Sequence, residues 1–164
     1  MKFATIAAVA AVLTLAACAD DEQPEAQTGG NTGGTSAGGP AAGSQAEFTQ
    51  VVGDRVFFAT DQHTLDSQSR STLTGQARWL QQYGGYNVTV EGHADERGTR
   101  QYNLALGARR ANSARQFLVS QGVPANRLRA VSLGKERPVA LCSNESCWSQ
   151  NRRSVSVLSG SPSS

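Results

Sequence analysis

Residues Val88–Val123 read VTVEGHADERGTRQYNLALGARRANSARQFLVSQGV, and this stretch decides the fold. It opens on alternation, with Val88 and Val90 on one side of an extended chain and Thr89 and Glu91 on the other, which predicts a strand over YNVTVEG. From about Arg100 to Gln121 the period changes. Leu104, Ala108, Ala111, Ala114 and Leu118 fall along one helical stripe, and Gly122 and Pro124 stop it. Strand and helix are joined by a loop that gathers His93, Asp95, Glu96 and Arg97, a dense titratable set in a chain that is only 17% charged.

On either side the pattern continues. DRVFFAT (Asp54–Thr60) reads as a buried strand with Val56, Phe57 and Phe58 in one apolar run. Asp66 is placed to cap a helix running to about Tyr83, with Leu73, Ala77 and Leu80 at helical spacing and Gly84-Gly85 ending it. RLRAVSLG and RSVSVLS supply a third and a fourth strand. The resulting order, β-α-β-α-β-β, predicts an α+β domain: a small mixed sheet with helices on one face.

The N-terminus reads as a targeting segment. Met1-Lys2 precedes an apolar run, Phe3–Leu15, too short for the roughly 20 residues that span a bilayer, so residues 1–17 are assigned to a signal peptide. LAAC (Leu15–Cys18) resembles a bacterial lipobox, which implies cleavage before Cys18 and lipidation of that residue. Acyl chains contribute roughly 0.8 kcal/mol per buried CH₂, enough to hold a protein on a membrane surface without a spanning helix. Ala19 after the cysteine points, by the same analogy, to the outer membrane. Residues 18–46 have no hydrophobic period and are rich in Gly, Ser, Thr, Gln and Ala. They read as a disordered tether. The folded domain is placed at 47–159 and a short tail at 160–164.

Net charge divides along these lines. Formal charge is +2 overall, but fourteen basic and nine acidic residues lie from Glu47 onward, leaving the domain at +5. A basic exported domain favours anionic partners such as cell-wall polymer or lipid headgroups, and nucleic acid is excluded by the compartment. Besides Cys18 there are Cys142 and Cys147, in LCSNESCW. A disulfide is the natural reading in an oxidising compartment. Free thiols are the alternative, and zinc lacks a second ligand pair.

Taken together, VTVEGHADERGTRQYNLALGARRANSARQFLVSQGV, LGKERPV and SQNRRSV resemble the OmpA-like, peptidoglycan-associated domain family across Arg55–Leu158. The resemblance implies non-covalent binding of peptidoglycan through diaminopimelate, with no catalysis and no cofactor. By correspondence Asp95 takes the ligand's ammonium and Arg110 its carboxylate. Asn103, seven residues before Arg110, shares its helix face. Asp61, Arg97 and Leu106 match further lining positions. Thr60 departs from members that carry a larger apolar residue. The family also implies docking of the periplasmic β-propeller TolB and association with other Tol proteins. Arg109 reads as a solvated charge and Glu96 as solvent-facing. His93 reads as a hydrogen-bonded strand-end residue, and Asp95 is also a candidate helix cap. Arg152 and Arg153 either line the site or support the last strand. Two other classes stand beside this reading. A hydrolase would need a nucleophile or paired acid and base, but no HExxH, GxSxG or Cys–His pattern accompanies His93 and Asp95. The other is a module that docks TolB alone.

Overall fold

A computed structural model of the chain describes residues 39–161. The expected signal peptide, Cys18, most of the tether and the last three residues lie outside them. At the N-terminal end Ser44 accepts a hydrogen bond from the Glu47 amide and opens a single turn, α1 (Gln45–Glu47), which passes into a π-helical stretch over Phe48–Gly53. Strand β1 is short, Arg55–Phe57. Helix α2 (Ser67–Gln82) follows, capped as expected by Asp66, whose Oδ1 accepts from the Ser69 amide at 2.7 Å. Then come β2 (Tyr86–His93), α3 (Arg100–Ser120), a 3₁₀ turn (Ala125–Arg127) and β3 (Leu128–Gly134). A further helix, α4 (Glu145–Asn151), precedes β4 (Arg153–Gly160). Among the described residues, secondary structure runs from Gln45 to Gly160, against an expected domain of 47–159.

The sheet is mixed, in the order β1-β4-β2-β3. β2 runs parallel to β3, and β4 is antiparallel to both β1 and β2. This is the β-α-β-α-β-β order expected, with α4 added between the last two strands. Leu73, Ala77 and Leu80 of α2 and Ala111, Ala114 and Leu118 of α3 bury themselves against Val56, Val88, Val90 and Leu158 of the sheet. Leu80, Leu118 and Val90 are fully enclosed, each stabilising the fold by about 1.5–3 kcal/mol.

Two local expectations are corrected. VFF in β1 is not a buried run: Val56 and Phe58 are buried while Phe57 is 46% exposed. A strand alternates, and this sheet carries helices on one face only, so the middle residue points to the open side. The buried stripe of α3 also differs from the expected one: Ala111, Ala114 and Leu118 are buried, but Leu104 and Ala108 are only half-buried. It takes in Asn103, Leu106, Gly107 and Arg110, because the N-terminal half of α3 crosses β2 at very close range. A Cβ placed on Gly92 would overlap the Gly107 carbonyl oxygen. Backbone lies against backbone there, and polar neighbours on that face are enclosed along with the apolar ones. Cys142 and Cys147 form a disulfide, Cα–Cα 5.5 Å, which ties the loop after β3 to the first turn of α4.

Candidate functional site

The close packing of Gly92 on Gly107 fixes where β2 ends relative to α3, and so where the Ala94–Thr99 loop stands. Ala94 donates to the Gly134 carbonyl at 2.8 Å, and Thr99, rather than Asp95, caps α3 by accepting from the Tyr102 amide at 3.2 Å. Asn103 braces the loop from behind: its Nδ2 donates to the Arg97 carbonyl at 2.7 Å, and the residue is buried.

Asp95 does not cap the helix and accepts from four donors on two arginines. Its Oδ2 accepts from Arg97 Nη2 at 2.7 Å and Arg152 Nη1 at 3.5 Å. Its Oδ1 accepts from the Arg97 amide at 3.1 Å and Nε at 3.3 Å. Burial by itself would raise the carboxyl's pKa, but the hydrogen bonds from Arg97 outweigh it and hold Asp95 below the usual carboxylate range. The pair is lopsided: the Asp95 side chain is 9% exposed and that of Arg97 40%. Asp95 therefore lies at the bottom with Arg97 over it. A depression at this mouth is lined by Thr60, Asp61, Arg97, Gly98 and Tyr102. Asp61 accepts from the Tyr102 hydroxyl at 3.4 Å and holds φ at 55°, a left-handed conformation that Asp tolerates better than most residues. Thr60 accepts from Arg97 Nη2 at 3.4 Å.

Arg110 occupies a different environment. Its Nε, Nη1 and Nη2 donate to the carbonyls of Gln62 (2.8 Å), His93 (2.9 Å) and Ala59 (3.1 Å), and it has no exposed surface. Burial lowers its pKa to about 10, so it stays cationic at neutral pH. It clasps the loop after β1 to the end of β2, and in this arrangement no part of the guanidinium is open to solvent. Leu106 is likewise buried, outside the lining of the depression. Arg109 is exposed.

The NRR sequence divides between its two candidate roles. Arg152 joins the site, donating to Asp95, to the Phe58 carbonyl at 3.0 Å and to both oxygens of Glu145. Arg153 supports the chain around β4, donating to the carbonyls of Asn151 and Arg137. His93 differs from expectation. It is 2% exposed and neither ring nitrogen has a hydrogen-bond partner, since its ring faces Glu91 at 3.7 Å and the Arg153 side of the sheet rather than the loop. Burial, then Arg153 and Arg137, depress its pKa to about 4. No group of three or more His, Cys, Asp or Glu able to hold a metal ion occurs among the described residues.

Sequence reasoning missed the α4 side of the site. Glu145 engages Arg152, and Trp148 stacks its ring on the Arg97 guanidinium, 4.2 Å from Cζ to the ring centroid. Trp148 Nε1 donates to Glu96 Oε1 at 3.1 Å. The one available signal was an aromatic directly after Cys147.

Comparison with known proteins agrees with this architecture. Residues 57–152 match the OmpA family. A peptidoglycan-associated lipoprotein of Agrobacterium fabrum is 53% identical over 94% of this chain and 87% of its own length. One from Mesorhizobium japonicum is 53% identical over 95% and 92%. The crystal structure of the peptidoglycan-associated lipoprotein from Burkholderia pseudomallei superposes with a TM-score of 0.63 at 40% identity, covering 65% of this chain and 90% of that one. By its family match and these relatives, the chain belongs to the OmpA family.

Proposed function

We propose that the protein is a peptidoglycan-binding lipoprotein of the cell envelope, anchored in the outer membrane through Cys18 and holding the wall non-covalently from the periplasmic side. The observation that carries this reading is Asp95: a largely buried carboxylate kept ionised, its nearest counter-charge the partly exposed Arg97 that lines the depression beside it. Such a group receives an ammonium, and diaminopimelate presents one beside a carboxylate at the free end of its side chain. Asp61 and Arg97 line the mouth, Asn103 braces its loop, and Leu106 and Arg110 are buried. The relatives' name supports the same assignment, and they are named as lipoproteins rather than enzymes. Docking of TolB and a part in the Tol–Pal system, linking outer membrane to wall during envelope constriction at division, belong to this proposal through family membership.

Retention of the full-length protein on purified, protein-free peptidoglycan tests it, without and with free diaminopimelate. Removing one partner of a desolvated charge pair costs about 2–5 kcal/mol, so Asp95→Ala should lose retention by thirtyfold or more. Arg109→Ala should retain binding. If attraction between a basic domain and an anionic polymer were the cause, Arg109→Ala would weaken binding, Asp95→Ala would strengthen it, and salt would abolish it.

A further inference from the structure

Arg152, at the end of α4, is shared between two acids. Its Nε is fixed on the Phe58 carbonyl at 3.0 Å. Its Nη1 stands between two carboxylates, 3.3 Å from Glu145 Oε2 and 3.5 Å from Asp95 Oδ2, while Nη2 donates to Glu145 Oε1. Among the described residues these are the two acids that pair with it. The Arg152 side chain is 6% exposed and that of Asp95 9%, so neither can turn to water for a partner. Glu145 is 61% exposed and opens α4, which the Asn144 cap and the Cys142–Cys147 disulfide hold beside the site. An ammonium on Asp95 needs a carboxylate whose charge is not already spent. The charged groups around Asp95 are Arg97 on its own loop, Arg152 and Arg110 from α3, against Glu96 beside it, Glu145 from α4, and Asp61 at the mouth. Arg97 is partly exposed and yields at little cost. Arg152 is buried and does not. Without Glu145 its Nη end has one carboxylate left to it, and it closes on Asp95. Two guanidinium groups then hold that carboxylate at short range, and an ammonium has to displace the buried one.

We propose that Glu145 is a positioning residue of this site: by drawing the Nη end of Arg152 towards α4, it keeps Asp95 open to a ligand ammonium. This rests on the diaminopimelate reading above.

The test is isothermal titration of the full-length protein in detergent with the soluble tripeptide L-Ala-D-Glu-meso-diaminopimelate, together with the pH at which Asp95 titrates, followed by carboxyl-carbon NMR. Glu145→Gln keeps the size of the side chain and removes its charge. It should weaken the tripeptide by roughly tenfold, as expected when a ligand must displace one charge-assisted hydrogen bond. It should also move the Asp95 midpoint further down, because a second close guanidinium favours the ionised form. A merely structural role for Glu145, such as steadying the first turn of α4, gives the opposite shift: a loosened α4 carries Arg152 away and the midpoint rises. Glu136→Gln removes an acid that pairs with the exposed Arg100, and serves as the control for charge alone. It should leave affinity and midpoint unchanged. An unmoved or raised midpoint in Glu145→Gln, an unchanged affinity, or equal effects in Glu136→Gln overturn the inference while leaving the diaminopimelate reading in place. If the unmodified protein does not bind the tripeptide, or Asp95→Ala binds it as well as the unmodified protein, the reading itself fails and the inference falls with it.

Discussion

Arg110 and Arg97 both lie near Asp95 and show how differently one residue type is used. Arg110 is fully enclosed and donates to the carbonyls of Ala59, Gln62 and His93. Arg97, in front, is paired by side chains only, and much of it meets water. A buried guanidinium that satisfies backbone acceptors is a structural part, because removing it leaves three carbonyls without donors in a low-dielectric interior. An exposed guanidinium on a carboxylate is exchangeable, because water and ligand compete for both partners at little cost. The difference separates a rear wall that holds the fold from a front that can open.

The largest effect that would test this contrast is on stability at the rear. Arg110→Ala should destabilise the domain by about 3 kcal/mol or more, a drop in melting temperature of roughly 10 °C followed by circular dichroism. Loss of peptidoglycan retention with an unchanged melting curve would instead make Arg110 a ligand residue and erase the distinction drawn here.

The next concerns His93, whose carbonyl receives Arg110 and whose ring is held neutral by burial. Its folded pKa of about 4 lies below the ordinary 6.5, so the folded state resists its protonation. Its contribution to stability is therefore fully present above pH 6.5 and is lost as pH falls from 6.5 towards 4. The loss is on the order of 3 kcal/mol. Melting temperature measured across that window should decline, and His93→Gln should flatten the decline. A flat profile for the unmodified protein would place the ring in contact with water.

On the front side, reducing the Cys142–Cys147 disulfide should cost about 2 kcal/mol of stability by the chain-entropy argument for a short loop. The sheet should survive, since α4 packs at its end. A thiol count before reduction should find neither cysteine reactive.

The smallest effect on stability is expected at Arg97. Arg97→Ala should leave the melting temperature within the scatter of replicate scans while lowering retention on peptidoglycan. A large loss of stability would show that the front is as structural as the rear.

Most of the fold was legible because its periodicities are strong and uninterrupted. Val88 and Val90 alternate, Leu73, Ala77 and Leu80 repeat at helical spacing, and Asp66 caps where an Asx residue should. The loop site was legible as a cluster, since His93, Asp95 and Arg97 are close in sequence. Helix α4 was not. Its seven residues carry no apolar stripe, and it is held by the disulfide and by Asn151, which accepts from the Val139 and Ala140 amides. Arg152 could not be told from Arg153 by pattern. Arg152 closes α4 and Arg153 opens β4, and only the folded chain decides which of the two reaches Asp95.

The sequence by itself determined the element order, the apolar faces, the basic domain and its family, because each of these depends on residues near one another along the chain. Tertiary structure decided which charges are fixed and which are exchangeable. Arg97 and Arg110 are the same residue type flanking one acid. They differ because Gly92 lets α3 approach β2 closely enough to enclose Arg110, while α4, 52 residues beyond Glu96 at Trp148, supplies the ring on which Arg97 rests. Solvation and long-range contact set the cost of moving a charge, and neither can be read from the chain before it folds.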